Sequence, residues 1–176
     1  MTAKPTIYID ACPIIDLVKV KRHLEVEAGR VNEAWFTERL VAAARKGAVR
    51  LVSSAIILIE GTHASEGMPT PDETKDMFSE FLWSGVIEMI AVDPFVCERA
   101  RDFRWKDGVV LGNADAIHLA TALMETASEF LTSDTKLTTK LKHLDGLMRS
   151  AGLVMTNPSE TAHLPEEYRV ADFFSL

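Results

Sequence analysis

Cysteine is scarce in this chain of 176 residues, with only Cys12 and Cys97. Two distant thiols make neither a disulfide framework nor zinc-ligand spacing. The expectation is a chain with reduced thiols in the cytoplasm. Long apolar runs are missing as well: no stretch approaches the ~20 apolar residues of a membrane span. The opening residues, Met1-Thr2-Ala3-Lys4-Pro5, lack the apolar core of a signal peptide and lead straight into a strand. Positive charge is in deficit, with 19 Lys and Arg against 26 Asp and Glu, a net charge of −7. That argues against broad electrostatic binding of nucleic acid. It does not exclude a nuclease, because an acidic site that holds cations contributes negative charge and local basic patches can still meet phosphates. There is no internal repeat and no low-complexity tract.

What is present is enough apolar material for a core, 47% of the chain, at a length that suits one domain. Thr6 to Ile9 reads as a short strand ending at Asp10, with Pro13 suited to the first turn of the helix that follows. Asn32 to Gly47 reads as a helix and Val49 to Val52 as a strand. Ser53 and Ser54 can cap a helix running to Glu60. Four large apolar residues, Ile56 to Ile59, precede that glutamate. A carboxylate beside such a run either turns to solvent or has a specific partner, because an unpaired buried charge is costly.

Further on, a helix over about 72–83, a strand over 86–92 and a helix over about 94–106 continue the alternation. The helix opened by Asn113-Ala114-Asp115 has Ala116, Leu119, Ala120 and Leu123 at helical spacing. Glu129 to Thr132 is a short buried strand with Asp134 just past its end. A short helix over 135–144, a last strand over 153–155 and a mixed tail complete the chain.

About 13 residues of helix after Asp115 cover roughly 20 Å. A turn and a strand rising about 3.3 Å per residue bring Asp134 back near Asp115. Two carboxylates so placed repel; a divalent metal or a proton lets them coexist. The plainer reading is that both only cap helices.

Strands alternating with helices imply an α/β fold, a mostly parallel sheet of four or five strands with helices on both faces. Ligands in such folds bind beyond the carboxyl ends of the strands. Asp10, Glu60, Asp115 and Asp134 are all expected at that edge, and capping gives no reason for four carboxylates to converge.

Ile7-Tyr8-Ile9-Asp10, the helix with Glu60, Asp115-Ala116-Ile117-His118-Leu119-Ala120-Thr121-Ala122 and Leu131-Thr132-Ser133-Asp134 resemble the four acidic blocks of PIN-domain ribonucleases. The likeness is to the VapC-type toxins of toxin–antitoxin pairs. It covers about Thr6 to Asn157, and implies a PIN-like nuclease domain over 1–157 with a tail over 158–176 packing on that domain or on a partner. It implies Mg²⁺ or Mn²⁺ held by Asp10, Asp115, Glu60 and Asp134, which would serve as both metal ligands and catalytic residues in cleaving RNA. Hard carboxylate oxygens suit those ions better than zinc. Thr132 matches the family's supporting hydroxyl. Cys12 departs from the pattern, standing where Ser, Thr or Asn is common, and is a weaker donor.

The resemblance further implies a small antitoxin partner and a homodimer. The helices around Ile56–Ile59 and Ala34–Ala44 would wall the antitoxin groove. Lys19, Lys21, Arg22, Lys136 and Lys140 are the candidate RNA phosphate contacts. His118 reads as structural rather than as a general base. A maturation nuclease without an antitoxin, a metal-dependent phosphatase and a non-catalytic PIN module are the alternatives.

Overall fold

The computed structural model describes residues 4–61 and 70–170. Five strands form one sheet: β1 (Thr6–Ile9), β2 (Arg50–Ser54), β3 (Ile87–Ile90), β4 (Glu129–Leu131) and β5 (Val154–Thr156). Their order is β3-β2-β1-β4-β5, and every pairing is parallel. β1 is therefore central, with Tyr8 opposite Val52 on one side and Phe130 on the other. The helices are α1 (Ala11–Lys21), α2 (Arg30–Arg45), α3 (Ile57–Glu60), α4 (Asp72–Trp83), α5 (Pro94–Trp105), α6 (Asn113–Met124), α7 (Thr135–Leu141) and α8 (Asp145–Ser150).

The three inner strands β1, β2 and β4 are buried on both faces, and successive side chains serve opposite layers. Ile7, Ile9, Leu51 and Leu131 join a core with α1, α2 and α4. Tyr8, Val52 and Phe130 join a second core with α5, α6, α7 and α8. The result is the three-layer α/β/α architecture expected from the alternation.

Several boundaries differ from expectation. Ser53 and Ser54 extend β2 instead of capping α3, because both are held in the sheet opposite Met89 and Ile90. The Ser53 hydroxyl donates to the Ile9 carbonyl at 2.8 Å. α3 is thereby cut to a single turn, with Ile57 buried and Ile59 exposed. α6 stops at Met124, and Thr126 takes a positive φ of 50° to turn the chain into β4. α8 carries no strong helical pattern in sequence; Met148 is its one buried residue.

Residues 158–170 lie against the same domain. Leu164 is buried in the first core, with Tyr168 packed against it. Ser159 hydrogen-bonds the Glu33 carboxylate of α2 through its backbone N–H (2.9 Å) and its hydroxyl (2.6 Å). This segment covers part of α2, so the helix expected to wall a partner groove is already packed against α1 and the chain's own tail. The tail aromatics Phe173 and Phe174, with Leu176, lie outside the described residues.

Candidate metal centre

The strand order reverses between β1 and β4, where one connection leaves towards β2 and another returns to β4. A crevice opens at the carboxyl ends of strands at such a point. Asp10 ends β1 there, and its backbone N–H donates to the Leu131 carbonyl at 2.9 Å. Asp10 precedes α1 but forms no cap with it; its carboxylate instead accepts the Thr132 hydroxyl at 2.8 Å. The same Thr132 oxygen accepts the Asp134 N–H at 3.1 Å. One hydroxyl thus links the ends of two adjacent strands, and Thr132 supplies the support that Cys12 does not.

Glu60 ends α3 and meets His118 of α6, with Oε2 2.5 Å from Nε2. That nitrogen also lies 3.6 Å from Asp10 Oδ1. Donor atoms of Asp10, Glu60 and His118 all fall within 4.8 Å of one another. The imidazole expected to be structural therefore touches the acidic cluster directly, through Glu60 and Asp10. The signal was present, since positions 115 and 118 are three apart and share a helix face.

His118 is buried, and the Tyr8 hydroxyl lies 2.5 Å from its Nδ1. Tyr8 accepts the Ser54 N–H at 2.9 Å, so its own proton is free to point at Nδ1. In the neutral ring this network assigns the remaining proton to Nε2, directed at Glu60.

Electrostatics follow from this packing. Burial alone would lower the His118 pKa, but the Glu60 hydrogen bond and the charges of Asp10, Glu60 and Asp115 outweigh it and raise it. The Asp10 pKa is raised mainly by burial; His118, Thr132 and the Ala11 N–H pull it back, and Glu60 adds to the rise. Carboxylate repulsion, the expected cause, is thus secondary to desolvation. Burial and the Asp10 charge push the Cys12 thiol up to about 12, which keeps it neutral and unsuited to nucleophilic attack.

The other two carboxylates stand at the same edge but outside the tight trio. Asp115 occupies the first turn of α6, where the helix dipole favours it. Lys140 Nζ of α7 lies 3.5 Å from its Oδ2. A Cβ at Gly112 would sit 3.2 Å from that oxygen, so glycine gives the carboxylate its space. Asp134 caps α7, accepting from the N–H groups of Lys136 (2.7 Å) and Leu137 (3.2 Å). Here the plainer reading of an N-cap is the observed geometry.

The basic candidates divide. Lys136 and Lys140 belong to α7, which starts at Asp134. Lys19, Lys21 and Arg22 close α1 at its far end, about 15 Å along the helix from Asp10 by its rise. The expectation that all five flank the site is corrected for these three. Lys21 pairs with Glu38 and Arg22 with Glu73. The reason is simple: a helix leaving a strand end carries its last turn away from that end.

A family model for the PIN domain matches residues 7–142. The chain belongs to the PIN domain family. No curated protein sequence matches this PIN domain. Among solved structures, the fold is similar to a chain of VapBC2 from Rickettsia felis bound to a DNA fragment from their promoter. That likeness has a TM-score of 0.53 and 17% identity, covering 86% of this chain and 98% of that one. It is also similar to a chain of FitAB bound to an IR36 DNA fragment, with a TM-score of 0.50 and 18% identity, covering 86% and 94%. At these identities the likeness is one of fold. No helix among the described residues is long and apolar enough to cross a membrane.

The residues fit a divalent ion. Ligand atoms around an ion with bonds of about 2.1 Å lie within roughly 4 Å of one another. Carboxylate oxygens of Asp10 and Glu60 lie within 4.8 Å of each other, while His118 Nε2, hydrogen-bonded to Glu60, stands beside them as a proton donor rather than as a third ligand. The burial cost of Asp10 also leaves it wanting a positive partner. Carboxylate oxygens are hard ligands, suited to a divalent ion bound through oxygen.

Proposed function

We propose that this PIN domain is a metal-dependent endoribonuclease and the toxin of a toxin–antitoxin pair. The observation that carries the reading is the Asp10–Glu60–His118 cluster at the strand-order reversal, with Asp115 and Asp134 at its edge. Asp10 and Glu60 would hold Mg²⁺ or Mn²⁺, with Asp115 and Asp134 binding directly or through water. When bound, the ion supplies a polarised water and charge stabilisation at the phosphoryl oxygens.

The chain's own residues do the rest. Thr132 fixes the Asp10 carboxylate against rotation. Tyr8 fixes the His118 ring, which in turn holds Glu60. Lys140, paired with Asp115 at the acidic edge, would meet a substrate phosphate, and Lys136 lies on the same helix. Such contacts position RNA without reading its sequence. His118 takes up or gives up a proton at Nε2 as the carboxylates around it change charge.

An antitoxin partner is supported by the fold likeness to chains of VapBC2 and FitAB. On this reading the protein works in the cytoplasm as a homodimer, with residues 1–157 as the nuclease domain and 158–176 as a tail completing it. The antitoxin would block the cleft, with an arginine set against the carboxylates.

The test is expression alone and beside its neighbouring open reading frame. The toxin reading expects growth arrest alone, rescue by the neighbour, and loss of toxicity in Asp10→Asn. Harmless expression of a chain that cleaves RNA in vitro would replace it with a maturation nuclease.

A further inference from the structure

We propose that the groove between α5 and α6 is a subsite for a nucleotide of single-stranded RNA flanking the cleaved bond. Trp105 stacks the base, while Arg101 and Arg104 hold its phosphate. The inference rests on the ribonuclease reading and names where its substrate lies.

The groove encloses about 420 Å³, a volume suited to a small ligand group. Arg101, Arg104 and Trp105 line one side, and Asn113, Ala116 and Ile117 line the other. Ala116 follows Asp115 on α6 about 100° round the helix, so the groove lies on the next face of the helix that carries the acidic edge.

Trp105 is 71% exposed, an unusual position for an indole. The Arg101 guanidinium lies 4.3 Å from its ring centroid. Among the described cation–ring pairs, the rings of Trp35 and Phe103 are partly or fully buried, and only Trp105 is exposed. Aromatic faces stack on bases of any sequence, and an adjacent arginine adds a phosphate contact.

The charge is right for an anion. Arg104 is exposed and has no ion pair among the described residues, on a chain with seven more acids than bases. Arg101 has Asp102 Oδ1 at 3.7 Å while Lys106 holds the other oxygen of that carboxylate at 2.6 Å, so of the two arginines Arg101 is partly engaged and Arg104 is not. Guanidinium groups at the mouth favour a phosphate over an apolar partner helix.

The probe is a short fluorescein-labelled single-stranded RNA of mixed sequence. It is titrated by anisotropy into full-length Asp10→Asn protein, so that cleavage does not deplete it. Adding Trp105→Ala should weaken binding by about tenfold or more. Trp105→Phe should keep most of the affinity. Arg104→Glu should weaken binding and flatten its salt dependence. Unchanged affinity in Trp105→Ala and Arg104→Glu overturns the proposal. So does a fall from dimer to monomer in light scattering with RNA affinity intact, which would make the groove an interface between copies. Wild-type protein that cleaves RNA, with Trp105 variants that bind it normally, discards the groove alone; wild-type protein that neither binds nor cleaves discards both.

Discussion

The Tyr8 hydroxyl stands between two buried groups, accepting the Ser54 N–H and facing His118 Nδ1 at 2.5 Å. It ties the end of β2 to the ring that contacts Glu60 and Asp10. Tyr8 itself is stacked on Phe130, with centroids 5.1 Å apart, so the hydroxyl has little freedom to move. Its own pKa is raised well above the ordinary value, chiefly by burial, and it stays a neutral donor.

Tyr8→Phe keeps the ring packing and removes that oxygen. It strands a backbone N–H and an imidazole nitrogen in the core. The expected loss is about 1–3 kcal/mol, read from urea unfolding. An unchanged midpoint would mean that water or another side chain replaces the hydroxyl.

The metal-free protein should lose stability as pH rises through the His118 range. The folded pKa is raised above the ordinary value near 6.5, so the folded state binds that proton more tightly. This contribution is fully present below about 6.5 and disappears as pH rises through the folded value. Asp10 is raised too and contributes in the same direction at lower pH. Thermal unfolding in EDTA should show the decline, and His118→Gln should flatten its upper part. A melting temperature that climbs over that interval would contradict the assignment.

Gly61→Ala should damage both fold and site. A Cβ there would lie 1.9 Å from the Phe78 ring, a buried side chain of α4. Overpacking of this kind costs about 1–3 kcal/mol. Because residue 61 follows Glu60, relief of the clash should also shift that carboxylate. Calorimetry should therefore find both a lower melting temperature and weaker Mn²⁺ binding. Wild-type Mn²⁺ affinity in a destabilised variant would uncouple Glu60 from the Phe78 contact.

Much of this was legible in the sequence. Strands that end in Asp10 and just before Asp134 are marked by β-branched and aromatic runs, and buried parallel strands need little else. The first turn of α6 is marked by Gly112 and the apolar spacing after it. The less legible parts depend on contacts across the chain. Ser53 and Ser54 have cap chemistry, yet pairing with β3 outweighs it. Glu60 sits beside an apolar run because it has a partner 58 positions away in His118. Asp134 has the residue type of both a ligand and a cap, and its two backbone donors reveal that it caps α7. The basic residues of α1 read as near the site in sequence because helix length is easily overlooked.

The most direct test is cleavage of RNA by the wild-type chain and by Asp10→Asn, with Mg²⁺ or Mn²⁺ and with EDTA. The account predicts cleavage by the wild type that EDTA stops and added metal restores. It predicts a loss of about 100-fold or more in Asp10→Asn, the scale expected when a group stabilising the transition state is removed. Equal cleavage by the variant, or cleavage indifferent to EDTA, would contradict it.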